Sequence, residues 1–281
     1  MSAIRNWIRS SWAGRLLLIP FRLKSALAHT LPPVGRAVLW TFTSREHHNF
    51  TYNLDPINIQ HLVSFVSVIT RQDYAKIESY IQEIQQDQQL KEHLVRCSLA
   101  SREKHVTDFE VRFGRRMGWY ALVRATKPKL CVETGTDRGL GTCVIAAALM
   151  RNAEEGLPGK VLGMDINRNA GYLFQPPYSQ FGQLVVGDSL ASIRALQEPV
   201  DFFLHDSDHS PEHEEKELEL IASRLSPGAL VLSDNAEVTD KLLQFARRTG
   251  REFIFFAEKT KSHWCEPSGI GVAFKQEHGG Q

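Results

Sequence analysis

"CVETGTDRGLGT", Cys131 to Thr142, is a short apolar run that stops at an acid and passes through three glycines directly into a helical pattern. Glycines at 135, 139 and 141 let the backbone turn tightly and let a ligand come close, while the helix that follows offers unpaired N–H groups to a carboxylate. Taken alone, this spacing also suits a nicotinamide-dependent enzyme. The two are separated by Glu133, an acid ahead of the first glycine, where a pyrophosphate would be repelled. A sulfonium or ammonium cation would be welcomed there.

Working outward, short apolar runs alternate with helical stretches. The runs are "KLCVETG", "KVLGMDI", "QLVVGDS", "VDFFLHD", "GALVLSD", "EFIFFAE" and "GIGVAF". Helical stretches between the first five predict right-handed crossovers and a parallel sheet covered on both faces. The last two runs are divided by only "KTKSHWCEPS", too short for a parallel crossover, and are expected to pair as an antiparallel hairpin. The fold class is therefore α/β, a Rossmann-like sheet that is mostly parallel with an antiparallel last strand.

Ligands of such sheets bind beyond the carboxyl ends of the strands. This chain places Glu133 at the end of the first strand and Asp165 at the second. Gly187, Asp188 and Ser189 end the third, Asp206 the fourth, and Asp234 with Asn235 the fifth. Asp165 lies where an acid would hydrogen-bond a ribose diol.

"VETGTDRGLGT", "GMDI", "LVVGDSLASIRAL", "DFFLHDSDH" and "LVLSDNA", in this order, resemble the motifs of class I S-adenosylmethionine-dependent methyltransferases. They are most similar to the metal-dependent catechol and caffeoyl-CoA O-methyltransferase branch and its bacterial small-molecule relatives. The resemblance covers roughly residues 115–275. It implies that Gly135, Thr136 and the turn through Gly139 and Gly141 to Thr142 hold the methionine end of the cofactor, with Glu133 supporting the loop. It also implies that Asp165 takes the ribose hydroxyls and that Asp188 and Ser189 border the adenine. Asp206, Asp234 and Asn235 would bind Mg²⁺. The branch places a catalytic lysine three residues after the first metal acid; this chain has His209.

These residue types support the corresponding chemistry. Two carboxylates, an amide oxygen and waters form an oxygen-rich site suited to Mg²⁺, which can orient a hydroxyl and lower its pKa. His209 would accept the proton. Plainer roles compete: Asp206 and Asp208 could cap the helix beginning near Pro211, and His209 could be a solvated loop residue. His205 should point to the other side of its strand and pack. "EHEEKELEL" reads as the solvated face of a helix, and Trp264 either walls an acceptor pocket or packs.

The chain has 281 residues, a formal charge of +1 and 42% hydrophobic content, which fits a globular protein and gives no general signal for a nucleic-acid partner. Four scattered cysteines suggest neither a disulfide framework nor a zinc site, and no run spans a bilayer, so a cytoplasmic setting is expected. Basic residues are concentrated at the start: the first acid is Glu46, after seven Lys/Arg. Ile4, Trp7, Ile8, Trp12 and Leu16 form an amphipathic stripe expected to end near Pro20. It could lie on an anionic membrane. Docking on the protein's own core or on a second subunit is the preferred reading, and homo-oligomerisation stays open. From Asp55 to about Ala100 the pattern is helical and reads as a lid or oligomerisation module. The expected division is residues 1–114 as a helical extension and 115–281 as the catalytic domain.

The function expected is Mg²⁺-assisted O-methyl transfer to a small hydroxylated acceptor. Two rivals are a metal-independent methyltransferase acting on nitrogen or another acceptor, and a non-catalytic S-adenosylmethionine-binding protein.

Overall fold

A computed structural model describes residues 2–47, 51–265 and 268–275. The side chain of Ile4 lies outside the described residues, as do Glu266 and Pro267 of the last connection. The chain forms two compact units, Met1–Ser44 with Ser262–Glu266, and Arg45–Lys261 with Pro267–Gln281. Among the described residues no helix is long and apolar enough to cross a membrane.

In the first unit, α1 (Ser2–Ser10), α2 (Trp12–Leu17) and α3 (Ile19–Thr43) follow one another. The Ser11 hydroxyl caps α2 by accepting the Gly14 N–H at 3.0 Å. The expected amphipathic helix is divided into α1 and α2, and α2 ends at Leu17, near Pro20 as read from the sequence. Pro20 lies in the first turn of α3, where a missing N–H costs no intrahelical bond. The break falls at Leu18, and a further helix that the sequence reading did not include follows it. Trp264 packs edge-on to Trp40 at 5.2 Å, the packing reading of the two offered by its sequence.

The second unit holds α4 (Pro56–Thr70), α5 (Tyr74–Gln86), α6 (Gln88–Ala100) and α7 (Arg116–Thr126) ahead of the sheet. Asp55 caps α4 as expected, accepting the Ile57 N–H at 3.1 Å. The apolar stripe Ile77, Ile81 and Ile84 is fully buried with Leu62, Trp119 and Tyr120 in one core. The helices of residues 56–100 thus share a core with the sheet, and the boundary between compact units falls at Ser44/Arg45. Burial of that stripe is what joins them.

The sheet contains β1 (Leu130–Thr134), β2 (Lys160–Asp165), β3 (Gly182–Val186), β4 (Val200–His205), β5 (Leu225–Asp234), β6 (Glu252–Ala257) and β7 (Gly269–Phe274). The seven strands fall on the seven runs read from the sequence. Their order is β3-β2-β1-β4-β5-β7-β6, with β7 antiparallel to both neighbours. The last strand is antiparallel as expected and is inserted between β5 and β6. Alternation along β1 and β4 sends Cys131, Phe202 and Leu204 to the core beneath α4–α7. Val132 and Phe203 point to the opposite core.

Helices α8 (Leu140–Glu154), α9 (Ser189–Ala195), α10 (Pro211–Ala222) and α11 (Lys241–Arg248) supply most connections. The β2–β3 connection differs from the expected helix. It is irregular apart from a short 3-10 turn at Tyr178–Phe181. Pro176 and Pro177 remove two N–H donors midway, so Leu173, Phe174 and Tyr178 cover the sheet without helical periodicity.

Candidate active site

Parallel register brings the strand ends level. Thr134 on β1 pairs with His205 on β4, and His205 with Ser233 on β5. The β1–α8 loop then folds across this edge. The Gly135 N–H donates to the Met164 carbonyl at 2.8 Å, and the Asp206 N–H to the Thr134 carbonyl at 2.9 Å. Gly135 has φ +82°, and a Cβ there would sit 1.9 Å from the Asp206 carbonyl oxygen. Only glycine permits this approach.

Beneath the loop, Glu133 is buried and accepts a hydrogen bond from the Thr142 hydroxyl. Burial pushes its carboxyl up to about 8, against the lowering effect of that hydrogen bond. Its charge is therefore disfavoured, even with the Arg116 charge acting to lower the value. Gly141 clears room for it, since a Cβ there would lie 2.0 Å from Glu133 Oε1.

A cleft of about 470 Å³ opens at the same rim, within the usual size range of a small-molecule site. Of the residues singled out by sequence, Gly135, Asp165, Gly187, Asp188, Ser189, Asp206 and Asp208 line it, together with Asn167, Ser207 and His213. Glu133, Thr136, Gly139, Gly141 and Thr142 do not line the cleft. They build the loop and its support: Thr136 and Thr142 are buried, and Gly139 caps α8 in the left-handed conformation. Asp165 accepts backbone N–H bonds from Asp137 and Asn167, each at 2.8 Å. Asp188 caps α9 by accepting the Leu190 N–H at 3.2 Å. Asp208 accepts the Ser210 N–H at 2.9 Å, which holds its carboxyl below the usual range.

Next to the cleft, oxygen or nitrogen atoms of Asp206, His209 and Asp234 lie within 4.8 Å of one another. Burial and the Asp234 charge raise the Asp206 carboxyl, and its hydrogen bond to Asp234 favours a shared proton. Asp234 is held below the usual range despite its burial, because Arg115 faces it with two guanidinium nitrogens. The same guanidinium donates to Glu258 at 2.8 Å, to the Tyr52 hydroxyl at 2.8 Å and to Asn235 Oδ1 at 3.2 Å. Asn235 Nδ2 lies 3.0 Å from His209 Nε2. Burial and the neighbouring His205 lower the His209 pKa, which keeps the ring neutral and able to accept a proton.

Sequence reasoning did not find Arg115, and it assigned the acids of α10 to solvent. That assignment is corrected by Glu214 and Glu217, which are buried. Glu217 accepts from Thr134 at 2.7 Å, Ser189 at 2.5 Å and Ser207 at 2.9 Å, and lies 2.7 Å from His205 Nδ1. His205 is accordingly a buried structural partner, as its strand position suggested. A usable signal was present: Glu214, Glu217, Leu218 and Ile221 are spaced i, i+3, i+4, i+7, one helix face with two leucine-type residues on it.

Burial alone would raise the Glu217 carboxyl, but bonds from His205, Ser189 and Thr134 and the His205 charge bring it from 4.5 down to about 2. Its stabilising contribution is complete above the unfolded value and is lost as pH falls from about 4.5 through about 2. Glu217→Gln should flatten this part of the acid limb, removing a pH-dependent contribution of about 3 kcal/mol. Urea unfolding of both proteins across that window measures it, and superimposable acid limbs would count against the network.

A parallel sheet with one antiparallel strand inserted near its edge, a glycine turn after β1 and acids at successive strand ends define the class I methyltransferase fold. Residues 132–236 match the family described as a methyltransferase domain. Over those residues the chain carries a methyltransferase domain, set in a class I fold. Among solved structures, cofactor-bound Rv0187 from MTB is 18% identical, with 65% of this chain and 89% of that chain covered at a TM-score of 0.51. A provisionally assigned caffeoyl-CoA O-methyltransferase from Staphylococcus aureus is 16% identical, covering 73% and 100% at 0.51. The O-methyltransferase TomG from Streptomyces achromogenes, solved with SAM, is 19% identical, covering 65% and 89% at 0.49. At these identities the likeness to the first two is one of fold. A search of curated proteins gives no match.

Proposed function

We propose that the chain is an S-adenosylmethionine-dependent O-methyltransferase acting on a hydroxyl of a small molecule, with Mg²⁺ assistance at Asp206, Asp234 and Asn235. The observation that carries this reading is a single rim where the Gly135 loop, the acids of the cleft and the Asp206–His209–Asp234 cluster adjoin. When bound, the cofactor supplies the electrophilic methyl group, and the divalent ion supplies charge that eases loss of the acceptor's proton.

The chain's own residues do the rest. Gly135 lets the β1–α8 loop lie against the Asp206 backbone, shaping the rim on which the cofactor would rest, and Asp165 would accept from its ribose hydroxyls. Glu133, whose burial outweighs the Arg116 charge and disfavours ionisation, gains a further reason to ionise when the positively charged end of the cofactor arrives. Asp188 and Ser189 border the adenine side. His209, neutral and beside Asp206 at 3.7 Å, is positioned to take the acceptor's proton. Alignment of that acceptor oxygen with the methyl carbon, at about 3 Å, is the enzyme's main contribution.

The carboxylates of Asp206 and Asp234 fit a hard cation, and two adjoining carboxylates need either a proton or a cation between them. A second reading, metal-independent transfer, is favoured by Arg115, whose guanidinium already faces both oxygens of Asp234. Calorimetry decides between them. Mg²⁺ titrated into the native protein should bind, and Asp206→Asn should weaken that binding at least tenfold while S-adenosylmethionine still binds. Equal Mg²⁺ affinity in both proteins, or methyl transfer indifferent to a chelator, would select the metal-independent reading.

A further inference from the structure

The helices before Ser44 present an unusual combination of exposed apolar side chains and unopposed positive charge. On α3, Leu23, Leu27, Leu31, Val34 and Val38 recur at i, i+4, i+8, i+11 and i+15, which places them on one face. Each is exposed, from 38% for Leu27 to 56% for Leu31 and Val34. Arg22, Ser25, His29 and Arg36, at i, i+3, i+7 and i+14, lie on another face. On α1 and α2, Trp7 and Trp12 are 51% and 76% exposed, with Arg5, Arg9 and Arg15 exposed among them.

Folding leaves this apolar surface in water at a cost of roughly 25 cal/mol per Å² until something covers it. Scattered exposed leucines are ordinary, but a continuous exposed face marks a contact surface. Charge narrows the choice of occupant. Residues 1–45 contain no acid, so a second copy docking through the same helices would bring like charge to like charge. An anionic surface with an apolar interior satisfies both features.

Length and charge also fix the mode of contact. With 25 residues, α3 is about 37 Å long and could reach across a hydrocarbon core. Arg22, Lys24 and Arg36 interrupt it, and no described helix is apolar enough to cross. A helix of this kind lies in the interfacial plane, leucines down and basic side chains at headgroup level.

We infer that α1–α3 form an anchor by which the protein binds reversibly to bilayers rich in anionic lipid. The inference is independent of the acceptor and of the metal.

Vesicle flotation with the full chain tests it, using phosphatidylcholine vesicles with and without phosphatidylglycerol. The protein should float with the anionic vesicles only, and less so as salt rises. A surface arginine is worth about fivefold in partitioning, so the triple variant Arg5→Gln, Arg9→Gln, Arg15→Gln should bind about a hundredfold more weakly. Leu23→Gln, Leu27→Gln, Leu31→Gln should also lose binding, with both variants melting as the native protein does. Flotation with both vesicle types, or with neither, overturns the inference. So does light scattering that shows a dimer which the leucine variant dissociates, because a second copy would then cover the face. If a variant fails to fold, the native protein's discrimination between the two vesicle types decides alone.

Discussion

Arg115→Leu is expected to lower the free energy of unfolding by about 3–5 kcal/mol, among the largest effects of any single substitution in the chain. Arg115 is the cation between two buried acids, Asp234 on β5 and Glu258 just beyond β6, and it also holds Tyr52 and Asn235. Its side chain is 11% exposed, and those of Asp234 and Glu258 are 2% and 0% exposed. Bringing three charges out of water is costly, and mutual neutralisation offsets that cost. Leucine leaves two buried carboxylates without it, and these must either take up protons or draw in water. Arg115→Lys should recover only part of the loss, since a point charge cannot face both Asp234 oxygens while reaching Glu258. Urea unfolding at neutral pH measures both. A change below 1 kcal/mol for the leucine variant would mean that the cluster is solvated. In the proposed metal scheme, the same substitution also removes a competitor for Asp234, so Mg²⁺ should bind Arg115→Leu more tightly than the native protein.

Gly135→Ala should cost about 3 kcal/mol and abolish measurable cofactor binding, a loss of more than about a hundredfold. Two penalties coincide. The left-handed backbone at φ +82° disfavours any side chain, and the added methyl would penetrate the backbone of Asp206 and Ser207. Neither strand end can yield without breaking the bonds that hold the rim level, Gly135 N–H to Met164 and Asp206 N–H to Thr134. The loop must move instead, carrying with it the surface on which the cofactor is proposed to rest. Gly228→Ala is the control: this glycine has no positive φ and nothing lies within 4 Å of its added Cβ. That change should stay within about 0.5 kcal/mol and leave binding intact. Thermal unfolding and calorimetry of the two variants give the comparison, and similar behaviour at both positions would refute the steric argument.

The strands were legible because each is a short apolar run, the first five ending in a polar residue, a local pattern needing no knowledge of partners. The antiparallel last strand followed from the length of one connection. Local patterns misled where a residue's environment is made by something distant in sequence. Pro20 signals the break that falls at Leu18, but not the further helix that follows it. The β2–β3 connection has a helix's length but carries two prolines and buries Tyr178 instead.

By itself the sequence determined the α/β alternation, the glycine turn after β1 and the row of acids at successive strand ends, because these depend on neighbours within a turn or a strand. The tertiary structure decided which of those acids are neutralised, and by what. Arg115 reaches Asp234 across 119 positions, and Glu217 gathers hydroxyls from Thr134 and Ser189 beneath the rim. Charge and burial are properties of a site in space, where desolvation and opposing charge set the state of each group; their partners are assembled only when the sheet closes.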